Sequence, residues 1–389
     1  MVDGPDPVSR ALRAAPPDQL VEAADQAIRT VLGASRTEVL IADYRINGLW
    51  PVLDPELGSS VAAEAAAQRC FSSQRPVLAA DEGGCRVFLP MSVWGDRVGV
   101  LVIELPGAPG PEVEERAVDI AGALAVALRA ADRETDRYRR ARRRERLSMA
   151  AELQWELLPG RSVTHPAFHL AGQLEPAYTV GGDHFDWSLD GDRLTVTVLN
   201  GDGTGLAASL MTVTTVNAMR NARRSGGGLA EQAELASDTL HYQHRGRRYV
   251  STLLLELDAG TGEVRAVDAG SPHVLRLRGG TVQPIALDQQ LPLGMFAEAR
   301  YDLQEFALLP GDRLFVVSDG VWAAHPTGGE PYGERAMARA MRSTRLQPAT
   351  EAVGTVMREL HAYHADSDLR DDAVVVCLDW HGVRGRDAG

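Results

Sequence analysis

The order of apolar and polar residues divides the chain into a mixed N-terminal part, a long amphipathic stretch and a strand-rich C-terminal part. In the first part, apolar spacings of three and four predict helices, and alternation predicts strands. These elements are helices at 18–32 and 60–71 and strands at 38–44, 86–93 and 97–104. Gly95-Asp96 joins the last two strands as a predicted hairpin. The pattern therefore predicts a small α/β domain at 18–110, preceded by a Pro-rich tail at 1–17.

The amphipathic stretch begins at Pro111, a residue type favoured at the first position of a helix. Apolar residues then recur at spacings of three and four: Val113, Ala117, Ile120, Leu124 and Leu128. The pattern runs on to Pro159 and predicts one connecting helix at 111–158, about 70 Å long at roughly 1.5 Å per residue. Apolar positions at this spacing beside charged residues favour a coiled coil, so we expect a homodimer formed through this helix.

The middle of this stretch is rich in arginine: Arg133, Arg137, Arg139, Arg140, Arg142, Arg143, Arg144 and Arg146. Such a run is typical of a surface for nucleic acid or membrane, and also of a solvated helix face. Glu134, Asp136 and Glu145 neutralise part of the charge. We therefore favour the solvated face, which is able to pair with acidic surfaces of a second copy.

The C-terminal part is predicted to contain both strands and long helices. Strands are expected at 193–199, 250–258, 263–269, 273–278, 313–318 and 373–379, and helices at 206–224, 229–243, 333–341 and 348–364. Glycine-rich turns at 260–262 and 279–280 join neighbouring strands, which predicts antiparallel pairing. The fold class is therefore α+β, with one layered domain at 159–381 and a tail at 382–389.

Composition excludes several classes of enzyme and partner. All 40 basic residues of the 389-residue chain are arginine, so phosphate-loop ATPase, protein kinase and Schiff-base chemistry, which need lysine, are excluded. The net charge of -13 argues against a nucleic-acid partner. Cys70, Cys85 and Cys377 form no metal-binding spacing. With no apolar run of membrane-spanning length and no signal-peptide pattern, we expect a cytoplasmic protein without a membrane partner.

Aspartates of the C-terminal part stand where predicted strands end or begin, several of them beside glycines. They are Asp183 and Asp186 after Gly181-Gly182, Asp202 in Asn200-Gly201-Asp202-Gly203, Asp319 before Gly320, and the pair Asp371-Asp372. A single Asp-Gly pair is most often a turn. Four such places in one domain favour a site for Mg²⁺ or Mn²⁺, since these ions prefer oxygen ligands. Such ions activate water as a nucleophile that needs no Cys, Ser or Lys.

Ordered motifs across residues 149–378 resemble one family. The string AAELQWELLP at 150–159 resembles the A-x-x-x-Q-x-x-L-L-P entry helix of bacterial metal-dependent protein phosphatases. These are the protein phosphatase 2C-like enzymes of the stage II sporulation protein E and sigma-factor regulator branch. Further matching motifs follow in order: GGDHFD at 181–186, the glycine-rich strand end at 200–205, AGSP at 269–272, PGD at 310–312, SDG at 318–320 and DDA at 371–373.

The resemblance implies an αββα sandwich that uses two Mn²⁺ or Mg²⁺ ions to hydrolyse phosphoserine or phosphothreonine. It implies a protein substrate, a phosphorylated anti-sigma-factor antagonist of the STAS type. Carried over by position, Asp183, Asp319 and Asp372 are the expected catalytic metal ligands, with Asn200 and the carbonyl of Gly201 completing the set. Supporting roles are implied for three further aspartates, Asp186, Asp202 and Asp371.

The chain departs from the family pattern at three positions. The family's D-x-x-G-H-G-x-x-A-A aligns with residues 200–209, so Asn200 stands where a metal-bridging carboxylate is expected and Thr204 where a histidine is expected. A register shifted by two restores an aspartate, Asp202, but breaks the match that follows, and we prefer Asn200. Ser271 replaces the histidine of A-G-H-x-P. Because an amide is a neutral and weaker ligand, the alternative is a weakened or inactive phosphatase fold that binds or scaffolds a phosphoprotein.

Residues 18–130 resemble a GAF-type sensor domain, mainly through the hairpin FLPMSVWGDRVGVLVIEL at 88–105. This resemblance implies control of the phosphatase by an N-terminal sensor. No Cys-His pair identifies a haem or bilin, so the pattern leaves the ligand of the sensor open.

Overall fold

The computed structural model describes most of the chain. The described residues are 6–44, 48–53, 61–81, 84–143, 148–177, 181–270, 272–324, 332–364, 369 and 371–382. The chain forms two compact units that divide between Arg146 and Leu147. No helix in the described ranges is long and apolar enough to cross a membrane.

The first unit combines helices with a single sheet. In chain order its elements are α1 (Pro7–Ala14), a 3₁₀ helix (Pro17–Gln19), α2 (Leu20–Leu32), β1 (Arg36–Ala42), β2 (Leu49–Pro51), α3 (Val61–Ser73), β3 (Val77–Asp81), β4 (Gly84–Val93), β5 (Asp96–Leu105), α4 (Pro111–Ala131) and α5 (Arg137–Arg142). The sheet is antiparallel with strand order β2-β1-β5-β4-β3.

The β4–β5 hairpin turns one residue earlier than the sequence predicts. Its two turn residues are Trp94 and Gly95, with φ angles of 51° and 94°. Asp96 already pairs with Val93 in the ladder. Two positive φ angles match the twist of a two-residue hairpin, which explains why the turn is centred on Trp94-Gly95 and not on Gly95-Asp96.

Helices cover both faces of this sheet. On one face α1, α2 and α4 enclose a core that includes Ile28, Leu101 and Leu124, all fully buried. On the other face α3 packs through Cys70 against Phe88. Successive strand residues point to opposite faces, so the apolar runs of β4 and β5 supply both cores. The unit has the predicted α/β composition, and the resemblance to a GAF domain stays a prediction.

The predicted N-terminal tail at 1–17 contains a helix, α1. The carboxylate of Asp6 caps it by accepting hydrogen bonds from the backbone N–H of Val8 at 2.9 Å and of Ser9 at 3.3 Å. Val8 is fully buried in the core of the unit. The prediction was wrong because an Asp cap followed by proline at the first helical position is a start signal for a helix, which the Pro-rich composition obscured.

The predicted continuous helix at 111–158 is interrupted. Helix α4 ends at Ala131, α5 covers only Arg137–Arg142, and a further helix begins at Met149. The side chain of Arg137 donates to the carbonyl of Asp18 and, at 2.5 Å, to the carboxylate of Glu22. The hydroxyl of Tyr138 donates to the carbonyl of Pro17 at 2.7 Å. These tertiary hydrogen bonds within the first unit compensate for the helical hydrogen bonds lost where α4 ends. The spacing of apolar residues does not reveal them.

The apolar seam predicted for a coiled coil is used inside the first unit. Ala117, Ile120, Leu124 and Leu128 are buried in the core beneath the sheet. A buried seam cannot also pair with a second copy. The prediction that these four positions form a dimer interface is therefore wrong. Within the arginine run, Arg142 pairs with Asp132 at 3.0 Å, while residues 144–146 lie outside the described ranges.

The second unit contains two sheets and the remaining helices. In chain order its elements are α6 (Met149–Leu157), β6 (Ser162–His165), β7 (Phe168–Glu175), β8 (His184–Asp190), β9 (Arg193–Gly201), α7 (Gly205–Arg224), α8 (Leu229–His244), β10 (Val250–Asp258), β11 (Glu263–Ala269), β12 (His273–Arg278), β13 (Thr281–Pro284), β14 (Gln304–Ala307), β15 (Asp312–Val317), α9 (Asp319–Trp322), α10 (Gly333–Ser343), α11 (Ala349–Tyr363) and β16 (Ala373–Trp380).

These elements form four layers. The sheets have strand orders β14-β11-β10-β9-β8 and β13-β12-β15-β16-β7-β6, and all their neighbouring strands are antiparallel. Val196 and Leu253 from the first sheet share a buried core with Leu174 and Val376 from the second. Helices α7 and α8 cover the outer face of the first sheet, and α10 and α11 cover that of the second. The α+β class, the antiparallel pairing and the sandwich expected from the resemblance are confirmed.

Antiparallel pairing brings the aspartate motifs to one edge of the sandwich. Asp183 precedes the start of β8, which lies beside the end of β9 at Gly201. Asp319 follows β15, whose end lies beside the start of β16, directly after Asp372. The tail predicted at 382–389 lies outside the described residues from position 383 onward.

Candidate active site

Close backbone approaches hold the motifs together. A Cβ atom on Gly182 would lie 2.7 Å from the Cα of Gly201, and a Cβ on Gly320 would lie 1.8 Å from the carbonyl oxygen of Asp372. A Cβ on Gly181 would lie 2.6 Å from a carboxylate oxygen of Asp371. Only glycine fits at such distances, so the Asp-Gly pairs position the site and are not merely turns.

Asp183 is a buried carboxylate without a hydrogen-bond partner. The residue is fully buried, and neither carboxylate oxygen has a partner of hydrogen-bond geometry. Burial raises the pKa of Asp183 well above its usual range, and the charges of Asp319 and then of Asp372 and Asp371 raise it further, while the nearby hydroxyl of Ser318 acts in the opposite direction. A buried carboxylate in this position requires a compensating positive charge or a proton.

Asp372 differs from Asp183 because its carboxylate is held by hydrogen bonds. The side-chain amide nitrogen of Gln154 donates to it at 2.7 Å, and the backbone N–H of Ala177 donates at 2.9 Å. The same Gln154 nitrogen lies 3.2 Å from the carbonyl oxygen of Gly181 and 3.1 Å from that of Asp183. Burial raises the pKa of Asp372, and these hydrogen bonds partly offset the effect. Gln154 therefore orients the first and last motifs of the site.

The remaining two aspartates of the cluster are more accessible. Asp319 is half-buried, and one of its carboxylate oxygens is buried without a hydrogen-bond partner. Asp371 is exposed as a whole residue, yet desolvation of its carboxyl group, with the charge of Asp319 next, raises its pKa to about 6. Like charges brought close together disfavour ionisation, so the raised pKa values of Asp183 and Asp371 identify one electrostatically coupled cluster.

Asp186 has a different environment from the one implied for a site residue. Its carboxylate pairs with Arg220 at 2.7 Å and with Arg223 at 3.2 Å, both on α7. Arg220 also donates to the carbonyl of Leu157, at the end of α6, at 2.8 Å. Asp186 thus connects β8 with α7 and, through Arg220, with α6, and it does not join the carboxylate cluster.

The motif at 200–205 lies beside the cluster. Asn200 is half-buried near the end of β9, opposite Ser251. Asp202 is exposed, and its backbone N–H donates to the carbonyl of Tyr249 at 3.3 Å. Thr204 precedes α7 and makes no side-chain capping hydrogen bond. Ser271, the third departure from the family pattern, lies outside the described residues.

The donor set fits a hard divalent cation. Carboxylate oxygens without partners on Asp183 and Asp319 are the ligands that Mg²⁺ and Mn²⁺ prefer. Across the described part of the chain, no three His, Cys, Asp or Glu side chains are close enough to hold an ion as they stand. Carboxylates without a counter-ion repel one another. We therefore expect them to come closer together only when a cation is bound.

Sequence reasoning did not single out His273. Its ring stacks on that of Trp322, with centroids 4.1 Å apart. Burial lowers the pKa of His273, and the charge of Asp319 acts in the opposite direction, so the imidazole lies within electrostatic reach of the cluster. The signal was the string AGSPH, in which a histidine stands two residues after the position expected from the resemblance.

Comparisons with known proteins support the assignment of the second unit. Residues 190–381, just under half of the chain, match the family model described as stage II sporulation protein E (SpoIIE). Similar solved structures include the PP2C domain of SiaA from Pseudomonas aeruginosa, with 20% identity and a TM-score of 0.49 over 54% of this chain and 85% of that chain. A comparison with curated proteins gave no match.

Two further solved structures are similar over less than two thirds of their own length. The RsbU and RsbW domains of a Mycobacterium tuberculosis protein are 22% identical, with a TM-score of 0.49 over 57% of this chain and 62% of that chain. The PP2C phosphatase domain of SpoIIE from Bacillus subtilis, with a fragment of its regulatory domain, is 20% identical, with a TM-score of 0.48 over 55% and 64%.

The family match defines a class of protein. Residues 190–381 match the stage II sporulation protein E family and form a SpoIIE-like domain within the second unit. The resemblance inferred from the motifs at 149–378 is confirmed at this level. The first unit lies outside the matched residues.

Proposed function

We propose that the chain hydrolyses phosphoserine or phosphothreonine on a regulatory protein, with Mn²⁺ or Mg²⁺ as cofactor. The observation that carries this proposal is the buried carboxylate of Asp183, which has no hydrogen-bond partner and is surrounded by the charges of three other aspartates. No positively charged group of the described residues pairs with this carboxylate, so a cation is the simplest partner.

In this proposal Asp183, Asp319 and Asp372 hold the cations, with Asn200 and the carbonyl of Gly201 as further ligands. When bound, such ions supply a nucleophilic water and stabilise the charge that develops on the phosphoryl group. The supporting residues are Asp371 and Asp202. Both are exposed, and Asp202 lies in the glycine-rich loop.

The chain's own residues fix the geometry around this chemistry. Gln154 holds the Asp372 carboxylate by its amide hydrogen bond, which leaves the other lone pairs of that carboxylate for a ligand. Burial of Asp183 keeps bulk water from its oxygens, which strengthens any electrostatic interaction made there. Asp186 and Arg220 keep α7 in place at the back of the site.

The finer parts of the proposal rest on the motif resemblance. We infer a phosphorylated STAS-type anti-sigma-factor antagonist as the substrate, control by the N-terminal GAF-like unit, and a cytoplasmic location. A homodimer through the connecting helix remains part of the proposal, but not through the apolar seam of α4, because those side chains are buried in their own unit.

A second candidate function is a phosphoprotein-binding module that turns over slowly or not at all. The observation that favours it is Asn200, a neutral side chain near the end of β9 where the family motif has a carboxylate. With one carboxylate fewer, a pair of close cations is less well compensated.

The decisive experiment measures release of inorganic phosphate from a phosphoserine protein by the purified full chain, with Mn²⁺, with Mg²⁺ and with chelator. Metal-dependent release that disappears in Asp319→Asn supports the enzyme. No release by the wild type at saturating Mn²⁺, together with turnover by Asn200→Asp, supports the binding module. Release that persists in Asp319→Asn or in chelator contradicts the assigned site.

A further inference from the structure

Arg248 carries a buried positive group without a partner. Its Nη1 atom is buried and has no acceptor within hydrogen-bond distance. The residue stands just before β10, and its side chain lies against Gly203, where a Cβ atom would come 3.2 Å from Nη1. A buried guanidinium nitrogen without an acceptor is costly, so its presence here calls for a function.

Two other arginines of the second unit that are buried or half-buried around carboxylates are satisfied. Arg220 pairs with Asp186 at 2.7 Å, and Arg313 pairs with Asp379 at 2.5 Å. Both are bidentate pairs, as guanidinium groups favour. Arg248 differs from both, although exposed Asp202 lies on the neighbouring loop. Arg276 also has a buried nitrogen without a partner, Nε, but it stands within β12. Arg248 lies against the glycine-rich loop. Its charge is therefore free for an anion that comes from outside the chain.

The position of Arg248 connects it with the candidate site. The carbonyl of Tyr249, the next residue, accepts a hydrogen bond from the N–H of Asp202 at 3.3 Å. Gly203 stands two residues after Gly201. The backbone of Gly201 lies against that of Gly182, the residue before Asp183. Gly203 has a φ angle of 92° and no side chain, so the backbone of the loop can lie close to the guanidinium.

We propose that Arg248 binds the phosphate group of the substrate before hydrolysis and the released inorganic phosphate after it. This inference deepens the proposed function and rests on it for the identity of the substrate. A guanidinium group presents paired N–H donors that match a phosphate, as no ammonium does, and the chain has no lysine to take this role. Arg248 is a substrate-binding residue, not a ligand of the cations.

The charge balance of the region explains why an anion needs this residue. The aspartate cluster repels a phosphate dianion unless cations neutralise it, and Asp202 adds a further negative charge on the loop. An arginine beside the loop gives the phosphate one positive contact. Phosphate binding is therefore expected to depend on both Mn²⁺ and Arg248.

The test compares the wild type with Arg248→Gln, Arg248→Lys and Arg247→Gln in the full chain with Mn²⁺. Arg247 is exposed on the same loop, so its variant is a matched control for loss of one charge. The readouts are the KM and kcat for p-nitrophenyl phosphate, the inhibition constant of inorganic phosphate, and direct binding of inorganic phosphate by calorimetry.

For Arg248→Gln we expect the KM and the inhibition constant to rise about tenfold, the effect of about 1.4 kcal/mol, with kcat within about twofold. Arg247→Gln is expected to behave as the wild type. Unchanged phosphate affinity in Arg248→Gln, an equal loss in Arg247→Gln, or a loss confined to kcat each overturns the proposal. If Arg248→Gln does not fold, Arg248→Lys replaces it, with about threefold weaker phosphate binding expected; unchanged binding there overturns the proposal.

Direct binding separates this inference from the proposed function. If the wild type binds inorganic phosphate through Arg248 but releases none from p-nitrophenyl phosphate or a phosphoprotein, the hydrolysis proposal fails and the assignment of Arg248 stands. If the wild type hydrolyses substrate and Arg248→Gln binds phosphate equally well, the assignment of Arg248 fails and the hydrolysis proposal stands. A wild type that neither hydrolyses nor binds phosphate overturns both.

Discussion

Two buried aspartates three residues apart have opposite environments. Asp186 is paired with two arginines of α7, whereas Asp183 has no partner and lies among other carboxylates. Both side chains are almost completely buried. The chain itself compensates the charge of Asp186, which indicates a structural role. It leaves the charge of Asp183 for something that arrives from outside, which indicates a functional one.

The largest effect is expected from Asp183→Asn. Loss of a metal ligand should lower phosphatase activity about a thousandfold or more, since a catalytic ion contributes several kcal/mol and each 1.36 kcal/mol is about tenfold in rate. The Tm of the metal-free protein should not fall, because the variant removes repulsion. Asp190→Asn, at the exposed end of β8, is the control. A large drop in the metal-free Tm of Asp183→Asn would give Asp183 a structural role instead.

Asp186→Asn should have the opposite pattern. Removing this carboxylate leaves two partly buried arginines uncompensated, and breaking a buried pair costs about 3–5 kcal/mol. We expect denaturant unfolding to show a loss of this size, equal with and without Mn²⁺. A loss that disappears when Mn²⁺ is added would mean that Asp186 belongs to the metal site after all.

Binding of Mn²⁺ to the aspartate cluster should stabilise the folded protein. Mn²⁺ at about 100 times its Kd should stabilise the wild type by about 2.7 kcal/mol, and Asp183→Asn by much less. Chemical denaturation with and without chelator measures this difference. Equal stabilisation of the two proteins would place the Mn²⁺ site elsewhere.

The sign of the pH effect follows from Asp371. Its pKa is raised from 3.8 to about 6 in the folded protein, so its contribution to stability is present below pH 3.8 and is lost as the pH rises through about 6. In chelator, Asp371→Asn should therefore be more stable than the wild type at neutral pH, and the gap should close toward pH 4. A gap that widens on acidification would contradict the raised pKa.

The smallest effect is expected from Asn200→Asp. A carboxylate there adds a charged oxygen ligand and should tighten Mn²⁺ binding about tenfold, or about 1.4 kcal/mol. Calorimetry measures this directly, and Asp202→Asn in the same experiment tests the alternative register. A larger change in Asp202→Asn than in Asn200→Asp would favour Asp202 as the equivalent of the family's carboxylate.

The sequence predicted the second unit better than the first for a physical reason. Strand β10 and helix α7 follow strong local patterns, and their predicted bounds agree with the structure to within a residue or two. Strand β8 was missed because HFDWSLD carries polar side chains inward toward α7 and the site. In the first unit, the break after Ala131 depends on hydrogen bonds from Arg137 and Tyr138 to residues over 110 positions away, and no local pattern encodes them.

The site itself was predictable as a set of residues, but not as an arrangement. Aspartates at the ends of predicted strands indicated Asp183, Asp319 and Asp372, which the antiparallel strands bring to one edge. The same signal included Asp186, because the distant arginines that pair with it are invisible in the local sequence. Arg248 gave no signal at all, since nothing in the sequence distinguishes an arginine that lacks a partner.

The touching backbones have a consequence for ion size. Gly182 against Gly201 and Gly320 against Asp372 leave no room for these segments to move closer. Each contact lies just beyond the paired part of two neighbouring strands. Backbone fixed in this way limits how far the carboxylates can adjust around an ion. Mg²⁺ and Mn²⁺ tolerate such rigidity, whereas the larger Ca²⁺ requires longer and more adaptable contacts. We therefore expect calcium to be a poor occupant, and a competitor only at high concentration.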